Sequence, residues 1–137
     1  MTLTLKEAEV IVDASLAKAR EMKLGPMAVA VLDAGGYLIA LKREDSATII
    51  RPQIAIEKAW TAVAFGASTA DMEERAKARP YFVGALADMA AGKIIPVAGG
   101  LPIRKDGVLV GAVGVTGAQS SDDEACGLAG LTAAGLG

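Results

Sequence analysis

Residues 107–117 read Gly-Val-Leu-Val-Gly-Ala-Val-Gly-Val-Thr-Gly, a β-branched run with glycines at interior positions 111 and 114. A glycine inside a strand weakens it, because it loses more backbone entropy on folding and brings no side chain to pack. It is tolerated where something must approach the backbone closely. Gly111 and Gly114 therefore imply a crowded sheet, pressed by backbone, by a ligand or by a neighbouring subunit. A second glycine pair lies upstream in Val97-Ala98-Gly99-Gly100-Leu101-Pro102, and the acidic cluster Asp122-Asp123-Glu124 follows, just before Cys126. This last third of the chain points to a pocket without naming a reaction.

The rest of the chain supplies helices to cover such a sheet. Thr4 and Glu7 have the spacing of a capping box, and Ala8, Ile11, Val12, Ser15, Leu16, Ala19 and Met22 recur at helical intervals, which predicts a helix from Leu5 toward Lys23, ended by Gly25-Pro26. Residues 27–33 and 37–43 read as a hairpin turned at Ala34-Gly35-Gly36, where Asp33 is placed to bond the local amides. Pro52 suits the first turn of a helix running to Phe65. Ser68 or Thr69 caps another helix, Pro80 ends or bends it, and a short helical stretch continues to Ala91. Residues 94–98 and 101–105 read as strands joined at Gly99-Gly100, with an Asp106-Gly107 hairpin turn before 108–116 and a last helix from about Asp122. The expected architecture is one α/β (α+β) domain over residues 1–137, a mostly antiparallel five-stranded sheet flanked by helices.

Composition narrows the function. The chain has 137 residues, 53% hydrophobic and 22% charged, with a formal net charge of −2. That balance lacks the basic footprint of a nucleic-acid binder. The start of the chain lacks the pattern of a signal peptide, and no apolar run approaches the ~20 residues that cross a bilayer, so a cytoplasmic protein is expected. The excess of small apolar residues suggests self-association. Histidine is absent, which removes the commonest general base, metal ligand and axial haem ligand together. The lone Cys126 is read as a packed residue of the last helix, and no spacing of acidic residues dictates a metal cage.

The blocks Val31-Leu32-Asp33-Ala34-Gly35-Gly36, Ile54-Ala55-Ile56-Glu57-Lys58-Ala59-Trp60-Thr61-Ala62, Gly99-Gly100-Leu101-Pro102, the 110–117 strand and Asp123-Glu124-Ala125-Cys126 stand in an order that resembles the GlcG/HbpS-like family, related to the C-terminal domain of PduO-type proteins. The resemblance covers nearly the whole chain. It implies a profilin-like domain that assembles into oligomers, an octamer among the expectations, in a family whose members include haem-binding or haem-degrading proteins. It also implies that Lys58 lies on the helix lining the family's pocket.

Arg51 and Lys58 lie two turns apart on one helix face, about 10 Å along the axis. Lys58 is either an ion-pairing residue or an anion ligand. The Gly99 and Gly100 amides can hold an anion beside it, Glu44 or Asp123 can move a proton, and Tyr81 is a further pocket candidate. Asp122, Asp123 and Glu124 otherwise cap the last helix. Trp60 and Tyr37 read as core, interface or surface residues. Replacing Lys58 by methionine is expected to weaken an anionic ligand by about 1.5–3 kcal/mol while changing the fold little. Three functions follow: a protein that binds, or binds and transforms, a compact anionic or carbonyl-containing catabolite in a lysine and backbone-amide pocket; a haem-binding or haem-degrading protein with non-histidine ligation; or a noncatalytic oligomeric metabolite sensor. The cofactor is unassigned, and the missing histidine disfavours haem.

Overall fold

The computed structural model describes residues 1–137. Five helices and four strands follow one another as α1 (Leu5–Glu21), β1 (Ala28–Asp33), β2 (Leu38–Arg43), α2 (Arg51–Phe65), α3 (Thr69–Ala78), α4 (Pro80–Met89), β3 (Gly100–Lys105), β4 (Val108–Thr116) and α5 (Ser120–Ala134). The sheet is antiparallel throughout, in the order β2-β1-β4-β3. The Thr4–Glu7 capping box opens α1, and Gly66 closes α2 in the left-handed conformation. Asp33 accepts from the amides of Gly35 and Tyr37, pinning the β1–β2 turn. Asp106 and Gly107, both at positive φ, make the tight turn between β3 and β4.

The fifth expected strand, 94–98, does not form, and Gly99-Gly100 is not a hairpin turn. Pro96 has no amide to offer a ladder. The neighbouring donors are claimed by side chains instead: Ile95 N–H bonds Thr61 Oγ1 at 3.0 Å, and Ala98 N–H bonds Glu73 Oε1 at 3.2 Å. The segment is thereby strapped over α2 and α3 as an extended crossing into β3.

Alternation along the strands makes two unlike faces. Val29, Val31, Leu101, Ile103, Val113 and Val115 point to one side, where α1 and α5 cover them together with Ile11, Val12 and Leu131. Ala28, Ala30, Ala112, Gly100 and Gly114 point to the other, where α2 lies with Ala55, Ala59 and Ala62 inward. A Cβ on Gly114 would overlap the Ala55 carbonyl oxygen. At Gly114 the crowding is thus the backbone of α2, brought onto the sheet, whereas at Gly111 it is the Leu32 carbonyl of the neighbouring strand β1 and the Leu3 side chain. No helix is long and apolar enough to cross a membrane.

Candidate functional site

Because α2 lies so close to the sheet, side chains on its inward stripe are carried past the end of β3. Lys58 uses this route. Its Nζ donates to the Val115 carbonyl at 2.9 Å and to Asp123 Oδ2 at 3.0 Å, and the two side chains are only 3% and 2% exposed. Asp123 sits in the first turn of α5, the layer on the opposite face, and its Oδ1 accepts the Ala118 amide at 2.9 Å. The ion pair therefore joins the two helical layers across the end of β4. Space for it depends on Gly99: at φ +127°, a Cβ there would lie 2.6 Å from the Val115 oxygen and 2.8 Å from Lys58 Nζ.

Burial pushes the Lys58 ammonium below its ordinary value and the Asp123 carboxyl above its own, while each charge pulls the other back. Both shifts tend toward the neutral forms, which reduces the work of passing a proton between the partners. Arg51, one helical face along, donates from a guanidinium nitrogen to Thr116 Oγ1 at 3.1 Å. It forms no ion pair.

Arg51, Lys58, Asp123 and Thr116 border an open cleft of about 270 Å³, with Ile54, Ile95, Val97 and Ala118 as its apolar walls. Ser120, the first residue of α5, stands at the rim and brings the positively polarised helix start with it. The straps from Thr61 and Glu73 described above hold Ile95 and Val97 in place. A cationic fork, hydroxyls and an apolar wall are the elements that orient a small polar ligand.

Of the residues proposed from sequence, the structure brings together Arg51, Lys58, Gly99, Gly100 and Asp123. Of the two glycine amides, that of Gly100 is given to Thr69 Oγ1 at 2.8 Å. Glu44 is elsewhere. Its Oε1 accepts the Met27 amide and its Oε2 pairs with Arg20 at 3.1 Å, beside a separate depression with Arg43 and Asp45. Tyr81 is 74% exposed near the start of α4, where Arg79 lies over its ring. Thr116 and Ser120 were missed. Thr116 was legible in principle, since period-two alternation places it on the same face as Ala112 and Gly114, whereas Ser120 enters only through the path of the loop after β4. No three His, Cys, Asp or Glu side chains gather as a metal site.

The family model described as "Haem degrading protein HbpS-like" matches residues 3–132. The chain belongs to the HbpS-like family. Among curated relatives, Protein GlcG of Escherichia coli K12 is 37% identical over 90 residues, 66% of this chain and 63% of that protein. Corrinoid adenosyltransferase PduO of Citrobacter freundii is 27% identical over 123 residues, 90% of this chain but only 36% of PduO, so the chain spans little more than a third of that relative. Among solved family structures, the PduOC:Heme complex superposes with a TM-score of 0.89 at 25% identity, covering 100% of this chain and 98% of that one. HbpS gives 0.85 at 30% identity, covering 96% and 89%.

Proposed function

We propose that this HbpS-like protein binds a compact carboxylate-bearing small molecule in the cleft between α2 and the start of α5, anchored by Arg51. The observation that carries this reading is the imbalance of charge at the cleft: Lys58 is matched by Asp123, whereas Arg51 meets only a neutral hydroxyl. Its remaining donors suit a planar carboxylate. The apolar walls weaken competition from water and strengthen the attraction. The anchor is thus Arg51, where the sequence alone favoured Lys58 and glycine amides.

A thermal-shift series with acetate, pyruvate and succinate tests this, since a ligand bound only by the folded state raises its stability. Arg51→Gln should cost about 1.5–3 kcal/mol of binding, the scale of a hydrogen bond to a charged group. If no small carboxylate shifts the wild-type transition, or if Arg51→Gln responds equally, the reading is wrong.

Haem is the second ligand to weigh, because a relative was solved as a haem complex. The donor set here does not fit an axially ligated haem. Cys126 is buried, and burial pushes its thiol up to about 11. Met27 is fully enclosed, Tyr37 and Tyr81 stand out in solvent, and Lys58 is held by Asp123. No tyrosine, methionine or cysteine borders the cleft. A saturable haemin titration with a sharp Soret shift would reverse this assignment.

Self-assembly into a homo-oligomer belongs to the same proposal. Met89, Tyr81 and Ile49 leave large apolar side chains uncovered on one copy, which a partner surface would bury. Light scattering that gave the monomer mass over a broad concentration range would refute it.

A further inference from the structure

Lys58 is the chain's one buried lysine, yet it is among the residues that line an open cleft. Two of its three donor positions are taken, by the Val115 carbonyl and by Asp123, which leaves one without a protein acceptor. Its charge partner is a carboxylate at 3.0 Å, near enough to receive its proton directly. The guanidinium of Arg51 bonds Thr116, the residue next to Val115 on β4, so the two cations meet consecutive strand residues at one end of the cleft. That placement suits a ligand with its carboxylate and its electrophilic carbon in one compact molecule.

We infer that Lys58 forms an imine with the carbonyl carbon of a 2-oxo acid whose carboxylate is held by Arg51, with Asp123 receiving and returning the proton. This rests on the carboxylate-binding reading of the same cleft. In the first step a proton passes from the Lys58 ammonium to the Asp123 carboxylate. The freed nitrogen lone pair then forms the C–N bond as the carbonyl π pair moves to oxygen, and the nitrogen's proton passes to that oxygen, giving a neutral carbinolamine. Asp123 returns its proton to the hydroxyl, the C–O bond breaks, and water leaves with that electron pair. The nitrogen lone pair closes the C=N bond. The net change is one ammonium and one ketone to one protonated imine and one water, with no oxidant or reductant. Burial disfavours charge on both Lys58 and Asp123, which assists the opening proton transfer.

The test uses the full chain incubated with pyruvate and sodium cyanoborohydride, which reduces an imine irreversibly. Intact mass should rise by one carboxyethyl group, and peptide mapping should place it on Lys58 ahead of the exposed Lys42 and Lys77. Acetate, which has the carboxylate without the ketone, should slow the labelling, and Arg51→Gln should abolish the preference for Lys58. Wild-type mapping needs no substitution at Lys58 itself, so a folding defect cannot obscure the answer. If pyruvate raises the melting temperature but labels no lysine, or labels only exposed ones, the imine is refuted and carboxylate binding stands. If neither pyruvate nor any other of the small carboxylates shifts the melting temperature and Lys58 stays unlabelled, both fall.

Discussion

The two faces of the sheet are built on opposite principles. Toward α1 and α5 the strands present valine, leucine and isoleucine, and the layer is filled by side chains. Toward α2 they present mainly alanine and glycine, with Leu32 and Leu41 among them, and at Gly100 and Gly114 the helix backbone itself fills the space. The first face can lose a methyl group and relax around the gap. The second cannot gain one. This difference has a functional result, because only a helix drawn down to the sheet can send Lys58 past the strand end to a carboxylate on the far layer.

The sharpest way to break the contrast is Gly114→Val. The added side chain would collide with the Ala55 backbone, which cannot rotate away as a flexible side chain does, so the cost should exceed the usual ~1–3 kcal/mol of an overpacked core. Chemical denaturation or failure to recover folded protein would read it out. A variant as stable as wild type would show that α2 is free to move.

Lys58→Met comes next. It strands the buried Asp123, and one partner removed from a buried ion pair costs about 3–5 kcal/mol. The expected folding cost is thus larger than the mild one the sequence alone implies. Combining it with Asp123→Leu should recover most of the loss in a double-mutant cycle. No recovery would mean that the pair is not what joins the layers.

On the valine face, Ile103→Ala should cost about 2–5 kcal/mol through lost burial and a partly relaxed cavity, while the protein still folds cooperatively. Denaturant titration with an unchanged slope would support this. Loss of cooperativity would erase the distinction between the faces.

The smallest effect lies at the wet margin of the α1 layer, where Lys105 and the Thr4 cap hold Glu7 down at about 2 against an ordinary 4.5. A depressed carboxyl stabilises the fold above its unfolded value, and that contribution is lost as pH falls from about 4.5 through 2. Glu7→Gln should flatten the dependence of melting temperature on pH in this window. The group is solvated, so the change will be modest and salt-sensitive. An unaltered profile would remove Glu7 from the account.

Local signals made much of the fold legible. The Thr4–Glu7 spacing, the Asp33 turn, Pro52 and Asp106-Gly107 act over a few residues, and each appears where the sequence places it. Residues 94–98 were misread because their apolar, β-branched composition suits a strand, while the groups that divert them, Thr61 and Glu73, lie on distant helices. Pro96 was the only local warning. The site shows the same division: helical periodicity put Arg51 and Lys58 on one stripe, but Asp123 is 65 positions from Lys58 and no local spacing pairs them.

By itself, then, the sequence determined the helices, the two hairpins, the family and the demand for close approach at the strand glycines, because capping, turn geometry and periodicity are short-range properties. The tertiary structure alone decided what makes that approach, which cation is matched and which is left to face the cleft. Those outcomes depend on packing α2 backbone against the sheet and on bringing two opposite layers together at its end, distances that no local pattern encodes.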